Sequence, residues 1–186
     1  TQAIRDIALE KQFLLSVAYH SSRSGCFSEK VIYPWNWKDI KPSPDYSVIF
    51  ELASSISVLI PKEVGQGSYD PSYGKQPRGH AHDWLYSKTG CIQYLIETGT
   101  ENIQPSDSSI VEDTIERNMS GLMHLLKRAS SIDSQDGPEK YQVTGLITDQ
   151  SASPIHAEVS IQELDSPVLL PRYTDSFGRF RRLLVE

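Results

Sequence analysis

Phe13-Leu14-Leu15-Ser16-Val17-Ala18-Tyr19-His20-Ser21 is the stretch on which the fold turns. Its apolar run, Phe13 to Ala18, reads as a strand that delivers a histidine at its end. Working outward, Val31-Ile32-Tyr33-Pro34-Trp35 follows it, then Asp83-Trp84-Leu85-Tyr86, then Tyr94-Leu95-Ile96-Glu97, where a second predicted strand ends in a carboxylate. Upstream, Ala3 to Lys11 reads as the end of a helix with Ile4, Ile7 and Ala8 on one face. Helical and strand patterns alternate, so the class is α/β.

Ser43-Pro44 predicts a helix start, a side-chain cap followed by proline where a missing N–H costs nothing. Ile49, Leu52, Ala53 and Ile56 continue it at helical spacing, and it should end by Pro61. Gly65 to Gly79 reads as a long functional or mobile loop. Gln104-Pro105-Ser106 leads into a long helix whose stripe Val111, Ile115, Met119, Leu122, Leu126 and Ala129 is expected to be core, with His124 beside it a surface or half-buried residue and not a ligand. Ser130 to Lys140 breaks the pattern as a linker and divides the chain into units of 1–135 and 140–186. Beyond it the period becomes two: Tyr141, Val143 and Leu146, a turn at Asp149 to Pro154, then Ala157, Val159 and Ile161 as a half-buried antiparallel strand. Val143, Val159 and Ile161 are expected to face inward.

The 186 residues carry a net charge of -6 and no basic stripe, which argues against a nucleic-acid surface. Arg179, Arg181 and Arg182 alternate with Phe180 and read as a solvated sheet face. No apolar stretch approaches a membrane span, and no signal peptide is visible. Thr1 is taken not to be the true N-terminus. Two readings stand for Cys26 and Cys91: a disulfide, if the protein is exported, or two free, partly buried thiols.

Taken in order, the segments ending in His20-Ser21 and Glu97 resemble the C-terminal half of the zinc metallocarboxypeptidases of the carboxypeptidase A type. The resemblance implies the C-terminal part of a mixed-sheet fold and one Zn2+ ion. It makes His20 the third zinc ligand and Glu97 the carboxylate that activates water for attack on the C-terminal peptide bond. The substrate would be a peptide with a free C-terminus. The family's first two ligands come from an upstream His-x-x-Glu motif; none occurs in this sequence, so the missing N-terminal half of the catalytic domain is an expected partner and the fragment alone is expected to be inactive.

The resemblance also makes Tyr73, with Tyr69 in reserve, the tyrosine that closes over the substrate carboxylate. It puts His82 at the specificity position, where a histidine could donate to an acidic or polar side chain. Asp83-Trp84 reads as scaffolding of the pocket wall, since a Trp N–H and an Asp carboxylate anchor a loop well. Val143-Thr144-Gly145-Leu146-Ile147, Pro154 to Val159 and Thr174 to Phe180 resemble an incomplete transthyretin-like β-sandwich. An exported protein, periplasmic or secreted, goes with this reading.

Two alternatives remain beside it. On an extended segment both rings of His80-Ala81-His82 could meet one ion, but two ligands support only adventitious nickel or zinc binding. The chain could also be a non-catalytic binding or scaffold protein on a degenerate carboxypeptidase fold.

Overall fold

The computed structural model describes residues 2–21, 29–74, 79–99, 107–130 and 140–186. The histidine strand is β1 (Leu15–Ser21), and it pairs in parallel with β4 (Ile92–Thr98), His20 standing opposite Glu97. β2 (Lys30–Tyr33) joins β4 antiparallel with Lys30 opposite Glu97, and β3 (Asp70–Tyr73) joins β2 in parallel. The order is β1-β4-β2-β3, the mixed sheet expected of an α/β fold. β3 lies inside the stretch read as a loop. It is short, carries Pro71 and occupies an edge, where a proline leaves no ladder hydrogen bond unmade.

Alternation gives the sheet two different faces. Val31, Tyr94 and Ile96 are buried, as are Ile49, Leu52, Ala53 and Ile56 of α2 (Tyr46–Val58), and all belong to one core. The Tyr94 hydroxyl donates to the Ile49 carbonyl at 3.1 Å, so the ring brings its own polar partner into that core. Ser16, His20, Gln93 and Glu97 point the other way; Gln93 Nε2 donates to Ser16 Oγ at 3.0 Å across the β1–β4 pair.

α2 begins two residues after Pro44 because its would-be caps are otherwise engaged. Ser43 Oγ accepts the Asp45 N–H and pairs with the Tyr86 hydroxyl, while the Asp45 carboxylate is held by Arg172 and Arg182. α3 (Ala81–Thr89) and α1 (Gln2–Lys11) contact one another, and α1 buries only Ala8; Ile4 and Ile7, expected beside it, are exposed.

α4 (Ser108–Ala129) packs on α2 through a different face from the one expected. Its buried residues are Asn118, Gly121, Leu125 and Arg128, and a Cβ at Gly121 would come within 2.9 Å of Ile60, so the close approach is made at the glycine. Val111, Ile115, Met119 and Leu126 of the apolar stripe are exposed, and only Leu122 and Ala129 are half-buried.

β5 (Gln142–Leu146) and β6 (Arg179–Leu183) form a separate two-stranded antiparallel sheet. Val143 is exposed and not inward, although it stands opposite buried Arg182; the one buried residue of β5, Gln142, stands opposite Leu183. Val159 and Ile161 are half-buried. Their segment makes no ladder but a single antiparallel bridge, Glu158 to Tyr173, flanked by Val159 N–H to the Arg172 carbonyl and Thr174 N–H to the Ala157 carbonyl, before a 3-10 turn at Gln162–Leu164. Arg182, read as solvated, is buried with Phe180 on one face of β6, while Leu183 on the other enters the core of the larger sheet. Gln104 to Ser106, Cys26 and most of the expected linker fall outside the described residues.

Candidate active site

Parallel strands that end together bring their last side chains to one rim of a sheet, beyond the carboxyl ends, where open α/β folds place their ligands. At that rim His20 Nδ1 lies 3.0 Å from Glu97 Oε2. The imidazole is 57% exposed and the carboxylate 14%, so the ring faces solvent and the acid is sunk beside it. With Glu97 ionised, Nδ1 carries the ring proton and donates it, which leaves the lone pair on Nε2. Thr98 Oγ1 donates to the His20 carbonyl at 3.3 Å and ties the two strand ends together. Lys30, in register with Glu97, brings a third strand to the same rim.

This donor set suits zinc in kind but not in number. A neutral imidazole and a carboxylate are both zinc ligands, yet a catalytic site needs three protein ligands, and among the described residues no group of three His, Cys, Asp or Glu comes together. A metal at His20 would take Nε2 in this arrangement, or Nδ1 once the Glu97 contact is released.

Tyr73 and Tyr69 are not brought to the pair. Tyr73 stands opposite Tyr33 in the β2–β3 register, three residues beyond the Lys30–Asp70 level, and its ring lies 6.0 Å from that of Tyr33 with Lys38 Nζ 3.6 Å from its centroid. Tyr33 in turn meets Tyr46 and Phe50 of α2, so this cluster occupies the face opposite His20 and Glu97. Tyr69 is buried.

His82 is buried near the start of α3, whose helical geometry replaces the extended segment expected at His80-Ala81-His82. The two rings stack with centroids 5.0 Å apart instead of converging on one point. Burial, and then His80, lower the His82 pKa to about 4, so the ring is neutral at pH 7. Its Nε2 lies 3.1 Å from Asn36 Nδ2, while Asn36 Oδ1 accepts the Gly74 N–H at 2.8 Å. The amide orientation is thereby fixed: Nδ2 donates, His82 Nε2 accepts, and the ring proton sits on Nδ1. Asp83 Oδ1 accepts the Asn36 N–H at 3.1 Å, so the aspartate does anchor the adjoining loop, while its Oδ2 is buried without a partner and burial raises its pKa.

Asn36 is thus the residue that sequence reasoning missed. It clamps the segment after β2 to the residue after Tyr73 and to α3. An asparagine between two tryptophans has no spacing that signals such a role.

Cys91 is a buried free thiol ahead of β4, with burial pushing its pKa up to about 12. No helix among the described residues is long and apolar enough to cross a membrane.

No curated protein matches the chain. The family model described as zinc carboxypeptidase matches residues 1–120, which carry the whole mixed sheet, the His20–Glu97 rim and the start of α4. That match covers more than half of the 186 residues, and the chain belongs to the zinc carboxypeptidase family.

Proposed function

We propose that the chain contributes one zinc ligand, His20, and the general base, Glu97, to a carboxypeptidase that hydrolyses the C-terminal peptide bond of a peptide. The observation that carries this is the 3.0 Å approach of the two side chains at adjoining parallel strand ends, in a chain of this family. Zinc, when bound, supplies Lewis acidity that makes a water nucleophilic at neutral pH and polarises a carbonyl. In this reading Glu97 takes the proton of the attacking water and returns it to the leaving amine. Its low exposure keeps bulk water from competing for the carboxylate.

The remaining ligands are proposed to come from a segment outside these residues that bears His-x-x-Glu. Substrate contact by Tyr73 or His82 belongs to the proposal only with a rearrangement, since the first lies on the opposite face and the second is buried against Asn36.

The test is release of the C-terminal amino acid from a peptide library. The 186-residue chain alone should stay at background. A longer form carrying the motif should show release that a chelator removes and Glu97→Gln lowers about 100- to 10,000-fold, the usual worth of a general base. Release unaffected by the chelator or by Glu97→Gln would overturn the assignment. The second reading is a non-catalytic scaffold, and absence of His-x-x-Glu from the longer form would support it. A partner-binding longer form that is inactive on every C-terminal class would establish it.

A further inference from the structure

A cavity of about 500 Å³ opens at the other end of β1, between the α/β body and the C-terminal segment. Leu15 lines it, five residues before His20, so at about 3.3 Å per residue it lies some 16 Å from the rim where His20 meets Glu97. Its charged lining among the described residues is Lys11, Lys88, Arg172, Arg179 and Arg181 against the single carboxylate of Asp175. Five cations thus gather in one cavity of a chain whose net charge is -6.

Asp175, the one acid of that described lining, is engaged by its own turn. Asp175 Oδ1 already accepts the N–H groups of Phe177 and Arg179, both at 2.9 Å, as the anchor of its turn. Lys11 and Lys88 stand in the last turns of α1 and α3, where each also answers the negative end of its helix. Among the described residues Lys11 pairs with exposed Glu10, a surface contact worth little. The arginines come from the C-terminal segment and end no helix. Arg172 shares the Asp45 carboxylate with Arg182, and its Nε is buried without a hydrogen-bond partner. Arg181 is held in place by the Ala129 carbonyl.

We propose that this cavity is a binding site for a small molecule carrying two or more negative charges, phosphate or carboxylate groups. Its volume falls within the range of small-molecule sites. Arg172, already fixed by the Asp45 carboxylate, loses little further freedom when a ligand binds, and the planar guanidinium suits recognition of either group. The site unites residues on both sides of the expected linker, so an occupant would brace the C-terminal segment against β1, α1 and α3.

Titration calorimetry of the whole chain with pyrophosphate and with citrate, each repeated in raised sodium chloride, tests this. Saturable binding of at least one is expected, weakened by salt, with pyrophosphate preferred if the natural group is phosphate and citrate if it is carboxylate. Lys88→Gln and Arg179→Gln, both at exposed positions, should each weaken it about fivefold or more through loss of one close charge. Lys140→Gln, outside the cavity lining, should leave it unchanged. A thermal shift on ligand addition, present in the parent and reduced in the two variants with their unliganded midpoints unchanged, separates lost binding from lost folding. No saturable binding of either anion, or binding equal in all four proteins, would overturn the proposal.

Discussion

His20 Nδ1 meets Glu97 Oε2 at 3.0 Å across 77 residues of chain, and the contact is fixed by the parallel β1–β4 register and not by any local turn. A one-residue slip of either strand would send one of the two side chains to the α2 face. The pair is mostly open on the histidine side, so it adds little to stability, of order 1 kcal/mol or less. It does set the ring tautomer. In nitrogen-15 spectra of neutral His20 the Nδ1–H form should dominate, and Glu97→Gln should shift the ring toward Nε2–H while the denaturation midpoint moves little. A ring unaffected by that substitution would mean that the two groups do not meet in solution.

His82 predicts a pH dependence of folding. Its pKa is lowered from 6.5 to about 4 by burial, so the unfolded chain binds a proton between those values that the folded chain refuses. The stability it contributes is complete above about pH 6.5, falls as the pH drops toward 4, and amounts to about 3 kcal/mol at most. His82→Gln keeps an acceptor for Asn36 and removes the titration. Urea denaturation of the variant should show a flatter profile between pH 6.5 and 4, with the parent and variant curves converging at low pH. Parallel profiles would place His82 in water.

Much of this architecture was legible from period and punctuation. The strand ending at His20, the strand ending at Glu97 and the buried face Ile49, Leu52, Ala53 and Ile56 all follow from local patterns that tertiary packing respects. The α4 stripe did not behave so, because periodicity names an apolar face without saying what covers it; the close approach is made by Gly121, which the pattern ignores. Arg182 read as solvated because its partner Asp45 lies 137 residues away. Tyr73 is turned to the α2 face by pairing with β2, and a four-residue strand holding a proline gives too little alternation to reveal its register.

The two faces of α4 should respond differently to truncation. Leu125→Ala removes a side chain that is 3% exposed and joins the main core, and it should cost about 2–5 kcal/mol in urea denaturation. Ile115→Ala and Met119→Ala act at side chains about half exposed and should each stay within roughly 0.5 kcal/mol of the parent. Equal losses at all three positions would show that the outer stripe is covered in solution.

The last prediction concerns Asp45, on which two arginines of the C-terminal segment converge. Arg182 donates to Oδ1 through Nε and Nη2 at 3.1 and 2.9 Å, Arg172 reaches Oδ2 at 3.2 Å, and the Tyr86 hydroxyl donates to Oδ2 at 2.8 Å. The carboxylate is 5% exposed and Arg182 3%, so solvent cannot replace either partner. Asp45→Asn keeps the shape and removes the charge that both guanidiniums share, and should cost about 3–5 kcal/mol. Arg182→Leu in the same background removes the more buried of the two stranded cations, so the double variant should be more stable than Asp45→Asn alone, while Arg182→Leu by itself leaves Asp45 with Arg172 and should cost less than Asp45→Asn. The contact joins the N-cap of α2 to β6, so limited proteolysis should also cut the C-terminal segment of Asp45→Asn faster than the parent's. Additive losses in the double variant, with unchanged proteolysis, would show that the two ends of this ion pair do not depend on each other.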